Sequence, residues 1–331
     1  MKKLEVKVSK KYDILIGHNI INNIKNYIDK NKQILIITDD NIPIRYMETI
    51  KNVLDNHIYS FVIKHGEDSK SINIYKQIIS FLLEHNFTRE DVIINLGGGV
   101  VSDLGGFVAS TYKRGISYIN IPTSTLSMID SSIGGKVGIN YDGYKNIIGS
   151  FYEPSLVVVD VELLNSLDER NYYNGLVEGL KMALLDSEEF FNLFKINNLK
   201  SNIDEIIYKS LSFKKQIVEQ DEKDLGIRKI LNFGHTLGHA IEAKYLNEIY
   251  HGEAVAYGMI PFIDDEKLKE EVLNILKSMQ INIDSSKYKD LNDYIKNDKK
   301  NSYENKTLYI NVVKVKAIGN PYIERITLNN L

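Results

Sequence analysis

In the first 160 residues, short β-branched runs alternate with helix-length amphipathic segments, and no other feature of the chain constrains the fold as much. Residues 33–40 (QILIITDD), 58–66 (IYSFVIKHG), 91–99 (DVIINLGGG), 117–123 (SYINIPT) and 155–160 (SLVVVD) read as strands, each with Gly, Asp or Pro at or near its end. Between them, residues 44–56, 71–86 and 100–113 carry helical spacing. This order implies a largely parallel, Rossmann-like α/β sheet, with ligands expected beyond the carboxyl ends of the strands. The opening stretch MKKLEVKVSKKYDILIG alternates like a strand and lacks the continuous apolar core of a leader peptide. After Asp160 the pattern changes. Residues 171–186, 187–196, 202–220, 229–246, 252–260 and 264–279 read as helices, with few strand signals until TLYINVVKVKAIG near the end. A boundary near residue 165 follows, giving an α/β domain over 1–165 and a mainly α-helical one over 166–331.

Two domains also suit a chain of 331 residues, which is long for one core. The net charge of −3 argues against a nucleic-acid partner, which would call for a basic face. There is no cysteine, so disulfides and thiolate metal sites are excluded, and any metal must be held by histidine, carboxylate and water. No apolar run approaches membrane-spanning length, so a cytoplasmic protein without a membrane partner is expected.

NLGGGVVSDLGGFVA (95–109) passes from strand to helix through three glycines. Glycine there lets the backbone approach a ligand closely, and the helix start offers unpaired N–H groups suited to a pyrophosphate. Asp103 lies one turn into that helix. HGEDSK (65–70) and IPTSTL (121–126) fall at strand ends, which gathers them on the same rim. MIDSSIGGKVGINYDGYKNIIGSF (128–151) reads as a long glycine-punctuated loop carrying Asp130, Lys136, Lys145 and Asn146. Its lysines suit a phosphorylated or carboxylated ligand.

Of seven histidines, His235 and His239 sit four apart in IRKILNFGHTLGHAIEA, and His251 opens HGEAVAYG. At about 100° per residue, Arg228, Asn232, His235 and His239 would project within one arc of a single helix. Gly234 and Gly238 lie between them, and the flanking positions are largely apolar. Such a stripe suits a cleft wall better than a solvent face. A zinc protease motif needs glutamate directly after the first histidine, and Thr236 stands there instead. A carboxylate is available in NGLVEGLKMALL, where Glu178 and Lys181 share a helix face. Spacing alone leaves open which two histidines would join Glu178.

The blocks GGGVVSDLGGFVASTYKRG, MIDSSIGGKVGIN, KNIIGSFYEP, VEGLK, LNFGHTLGHAIEA and HGEAVA resemble, in order, those of the 3-dehydroquinate synthases, within the sugar phosphate cyclases. The resemblance runs from about residue 66 to 258, with a weaker echo in NDKK (297–300). It implies an NAD-binding α/β domain, a helical domain and a cleft between them. It also implies a zinc ion (or cobalt) on Glu178, His235 and His251, with His239 facing substrate. The implied NAD contacts are Glu67, Lys70, Gly98, Gly99, Asp103, Thr123 and Ser124, with Lys136 and Lys145. The implied substrate contacts are Arg114, Asp130, Lys136, Lys145, Asn146, Lys181, Lys214, Arg228, Asn232 and His239. The implied reaction is a phosphate-eliminating, carbon–oxygen lyase cyclisation of a phosphorylated seven-carbon keto acid sugar, carried out by a homodimer in aromatic amino acid biosynthesis.

The chain departs from the usual pattern at His65, Ser102, Ser124, Val137 and Asp224. It is also shorter between Tyr257 and NDKK by roughly two ordinary helices, which bears on whether Lys299 or Lys300 reaches substrate. Two enzymatic alternatives resemble it less. Other sugar phosphate cyclases act on substrates without the carboxylate that Arg228, Asn232 and His239 suit. A metal- and NAD-dependent polyol dehydrogenase would not need Lys136, Lys145, Lys214 and Arg228.

Overall fold

The computed structural model describes residues 1–195, 198–246, 248–296, 302–304 and 307–328. These form two compact units: Met1–Asp168 together with Lys214–Lys223, and Glu169–Phe213 together with the chain from Asp224. Among the described residues no helix is long and apolar enough to cross a membrane.

The first unit is built on seven strands: β1 (Lys2–Val6), β2 (Tyr12–Gly17), β3 (Ile34–Asp39), β4 (Ile58–Ile63), β5 (Val92–Gly97), β6 (Ser117–Pro122) and, after a separate hairpin, β9 (Leu156–Asp160). Their order is β1-β2-β9-β6-β5-β3-β4, with β1 antiparallel to β2 and every other pair parallel. The central strands β5 and β9 are buried along their whole length and β3 up to Asp39, which is why they read as nearly continuous Ile/Val/Leu runs. Helices α1 (Ile44–Val53), α2 (Ile72–Glu84) and α3 (Gly99–Thr111) connect them. Leu35, Ile37, Ile93, Val101, Leu104, Val108 and Tyr118 form one core from sheet and helices. Each of the five strands read from that alternation, and each of its three helices, is present.

Residues 128–151 differ from the expected loop. After a short turn of π-helix (Ser127–Ser131) they form a hairpin of β7 (Lys136–Tyr141) and β8 (Tyr144–Phe151). Asp142 (φ 50°) and Gly143 (φ 78°) make its two-residue turn. That turn type needs positive φ at both central positions, and Asp-Gly is among the pairs that supply it. Val137 and Ile139 are buried in the same core as α3.

The segment Lys214–Lys223 is fastened into this unit by its carboxylates. Glu219 accepts from the Lys7 amide (2.6 Å), and Glu222 accepts from the amide (3.0 Å) and hydroxyl (2.5 Å) of Ser9.

The second unit contains α4 (Glu169–Asp186), α5 (Glu188–Asn192), the start of α6 (Ile203–Gln220), α7 (His235–Lys244), α8 (His251–Met259), α9 (Glu266–Ser278) and α10 (Asn292–Lys296). A three-stranded antiparallel sheet completes it: β10 (Ser302–Glu304), β11 (Thr307–Val315) and β12 (Pro321–Thr327). The helix expected over 229–246 is broken. Ile227–Asn232 is a 3-10 turn, Phe233 is non-helical, and Gly234 sits at φ 78°, so α7 begins only at His235. The left-handed conformation at Gly234 ends one helical segment and re-aims the next.

Candidate metal centre and nucleotide-binding rim

Within the second unit, α4, α7 and α8 bring three metal-ligating groups to one point. Backbones at the α7–α8 contact approach closely: a Cβ on Gly258 would lie 1.8 Å from the Gly234 carbonyl oxygen. That contact sets the start of α7 against the end of α8, and across the pair the rings of His235, first residue of α7, and His251, first residue of α8, lie with centroids 5.5 Å apart. The start of α8 is in turn docked on α4, where Asn174 Oδ1 accepts from the Gly252 (2.6 Å) and Glu253 (3.2 Å) amides. Glu178 lies one helical turn beyond Asn174 and so faces His251.

His251 Nε2 and His235 Nε2 lie 3.6 and 3.7 Å from the same oxygen, Glu178 Oε1. The candidate donor atoms of all three residues fall within 4.8 Å of one another. Three ligands bonded to one tetrahedral ion at about 2.1 Å would stand about 3.4 Å apart, so the spacing fits. Glu178 Oε1 is buried with no hydrogen bond, while Oε2 pairs with the Lys181 ammonium. A buried carboxylate in that state is an acceptor suited to a cation.

The rings are also oriented for ligation. The Phe233 carbonyl accepts from His235 Nδ1 (3.0 Å), and the Glu242 carboxylate accepts from His251 Nδ1 (2.9 Å). Each ring therefore turns Nε2 toward Glu178, the arrangement in which an outer partner sets the tautomer of a metal-binding histidine. Burial alone would raise the Glu178 carboxyl, but Lys181 and His251 outweigh it and hold the group at about 2. Burial likewise lowers His251, and the carboxylates of Glu178 and Glu242 overcome that and push it up to about 10. His239 stacks edge-on against His235 at 5.2 Å but falls outside the donor set. Arg228 is buried on the turn before α7, and Asn232 ends that turn.

In the first unit, the glycine turn opens α3, with Gly98 at its cap and Gly99 as its first residue. Thr123, just past β6, donates its amide to the Gly97 carbonyl (3.1 Å), and a Cβ on Gly98 would lie 3.6 Å from Ser124 Oγ. These four residues therefore share one rim, at the carboxyl ends of β5 and β6. Close by, Lys70 is only 4% exposed and donates to Asp103 Oδ2 (2.8 Å) and Asn146 Oδ1 (2.5 Å), with Glu67 at 3.5 Å. Burial depresses the Lys70 ammonium, but Asp103 and Glu67 more than compensate, so it stays charged. Lys214 donates to both the carboxylate (2.8 Å) and the carbonyl (2.7 Å) of Asp130. Lys136 and Lys145 are exposed on the hairpin.

Arg114 stands apart from that rim. It is exposed at φ 66°, just before β6 begins, whereas Thr123 follows its far end. Six strand residues separate the two by about 20 Å. Lys299 and Lys300 lie outside the described residues.

Three participants in these clusters escaped the sequence reading. Glu242 lies seven residues after His235, on the same helical face, so its spacing was a usable signal. Asn174 precedes Glu178 by one turn of α4. Asn140, which donates to Glu67 Oε1 (2.8 Å), lies on the hairpin where the sequence suggests a loop.

The sequence matches the 3-dehydroquinate synthase N-terminal family over residues 60–174 and the 3-dehydroquinate synthase C-terminal family over residues 175–301. It is 40% identical over 348 aligned positions to the 3-dehydroquinate synthase of Clostridium botulinum, covering 98% of each chain. Two solved structures share the fold. A 2-deoxy-scyllo-inosose synthase complexed with carbaglucose-6-phosphate, NAD+ and Co2+ has a TM-score of 0.88 at 21% identity, covering 99% of this chain and 97% of that one. A 2-epi-5-epi-valiolone synthase from Streptomyces hygroscopicus with NAD+ and Zn2+ bound has a TM-score of 0.82 at 23% identity, covering 98% and 94%. With both family models matched in order, and 40% identity to one such synthase sustained over nearly the full length, the chain belongs to the 3-dehydroquinate synthase family.

Proposed function

We propose that the protein is a 3-dehydroquinate synthase, converting 3-deoxy-D-arabino-heptulosonate 7-phosphate to 3-dehydroquinate and phosphate. In this reading it is a lyase of aromatic amino acid biosynthesis, working as a cytoplasmic homodimer. The observation that carries it is the convergence of Glu178, His235 and His251 in a chain of this family. Zinc or cobalt on those three residues would act as Lewis acid at the hydroxyl to be oxidised, and NAD on the glycine rim would take up the hydride and return it.

The chain's own residues do the rest. Glu67, Lys70, Gly98, Gly99, Asp103, Thr123, Ser124, Lys136 and Lys145 form the cofactor set, the glycines allowing close backbone approach at a helix N-terminus. Lys136, Asn146 and Lys181 bind phosphate and the adjacent hydroxyls, and Arg114, at the far end of β6 from the rim, is left out of this set. Lys214 and Arg228 hold the substrate carboxylate, Arg228 through its planar fork. Asp130 positions Lys214 through the ion pair already described. His239 is the proton carrier beside the Glu178–His235–His251 site, and Asn232 would hydrogen-bond the neighbouring substrate oxygens.

The test is phosphate release from the heptulosonate phosphate by purified protein, with and without chelator. Release that depends on metal, with no net NADH, is expected. Net NADH from a polyol would point instead to a dehydrogenase, and phosphate release from a sugar phosphate lacking the carboxylate to another cyclase.

Glu242 gives a separate expectation. Without its carboxylate, His251 loses the partner that fixes its tautomer, so Glu242→Ala should weaken metal binding by roughly 10–100-fold. Glu242→Gln keeps an acceptor oxygen and should retain most of the affinity. Competition with a chromophoric chelator measures both, and unchanged affinity in the alanine variant rules out the orienting role.

A further inference from the structure

The hairpin carries an irregularity at the point where it meets the Lys70 cluster. Ile139 pairs with Ile148 and Tyr141 with Tyr144, so Lys145, Asn146 and Ile147 all lie opposite Asn140 alone. A bulge of this kind bends the strand and re-aims its side chains. Asn146 takes a left-handed conformation there (φ 52°), which asparagine adopts more readily than most residues.

Asn140 is bonded on every side. Its Oδ1 accepts from the Asn146 amide (2.9 Å), its Nδ2 donates to Glu67 Oε1 (2.8 Å), and its own amide donates to the Lys70 carbonyl (2.8 Å). Asn146 Oδ1 then accepts from Lys70 Nζ, which also reaches Glu67 and Asp103. The result is a closed ring through Glu67, Asn140, Asn146 and Lys70 that joins the segment after β4 to the bulge, with Asp103 of α3 attached through Lys70.

We propose that Asn140 is a positioning residue for cofactor binding. It locks the bulge against the Glu67–Lys70 segment, so that Lys145 and Asn146, adjacent in sequence, are held in fixed directions for two different ligands. This rests on the functional reading above. Asparagine suits the position because it must accept from one neighbour and donate to a carboxylate at the same time. Aspartate would keep the first bond and set two carboxylates against each other at the second.

The experiment is NAD titration of the purified full-length protein by calorimetry, alongside thermal unfolding without NAD. Asn140→Ala should weaken NAD binding by about tenfold, the scale of one lost bond to a charged group, with a melting temperature close to that of the parent. Asn140→Asp should be at least as weak. Combining Asn140→Asp with Glu67→Gln reverses the polarity of the bond, so the double variant should lose clearly less NAD affinity than the two single losses together, a coupling that general destabilisation does not produce. NAD affinity unchanged in Asn140→Ala overturns the proposal. So does a loss of affinity matched by a fall in apo-protein melting temperature and additive in the double variant. If the parent protein itself fails to bind NAD, the functional reading falls and this inference with it. If the parent binds and Asn140→Ala binds equally well, this inference falls alone.

Discussion

Glu178→Ala is expected to abolish metal retention and reduce kcat by about a thousandfold or more. A Lewis acid at a reacting oxygen is worth several kcal/mol, and about 4 kcal/mol corresponds to that factor. The substitution has a second consequence. Lys181 is 2% exposed and pairs with Glu178, so removing the carboxylate leaves a buried ammonium without that partner, at a cost of about 3–5 kcal/mol in stability. The two effects separate in the double variant with Lys181→Met, which removes the stranded charge and should recover much of the melting temperature without recovering metal. Metal content by elemental analysis and apo-protein unfolding read the two independently. Stoichiometric metal in Glu178→Ala would refute the ligand assignment.

The second large effect is expected at Gly258. A Cβ there would lie 1.8 Å from the Gly234 carbonyl oxygen, 2.7 Å from the Gly234 carbonyl carbon and 2.8 Å from the Gly238 nitrogen. All three are backbone atoms, so no rotamer change relieves the contact, and α7 must move away from α8. Gly258→Ala should therefore destabilise the protein by about 3 kcal/mol, at the upper end of the overpacking range. Because His235 directly follows Gly234, moving that backbone displaces a ligand, and metal affinity should fall as well, although no ligand is altered. Chelator competition and thermal unfolding check the two parts. A variant that melts with the parent and binds metal equally well would show that the close approach of the two helices does not set the site.

These two positions differ in how far they could be read from the amino-acid order. The parallel sheet was legible, because strands buried on both faces read as nearly continuous apolar runs rich in β-branched residues, as ILIITD, VIINLG and LVVVD do. The hairpin was legible in principle: Tyr-Asp-Gly-Tyr carries a two-residue turn signal between alternating apolar positions, yet the surrounding glycines made the segment resemble a loop. The single helix expected through Arg228, Asn232, His235 and His239 failed at Gly234. Periodicity reports which residues could share a face, and it is silent on where a glycine takes a positive φ.

What the chain itself determined is the chemistry on offer: no thiolate, three histidines near one another in sequence, a Glu–Lys pair one helical turn apart, and a glycine turn at a strand end. Tertiary structure alone decided which of those groups meet. His235 and His239 are equivalent by spacing, and only the crossing of α7 with α8, set by backbone contact at Gly234 and Gly258, together with the docking of α8 on Asn174, brings His235 and His251 to Glu178. Helical periodicity is a local property of one segment, whereas a three-donor site depends on distances between segments, and those are fixed by packing.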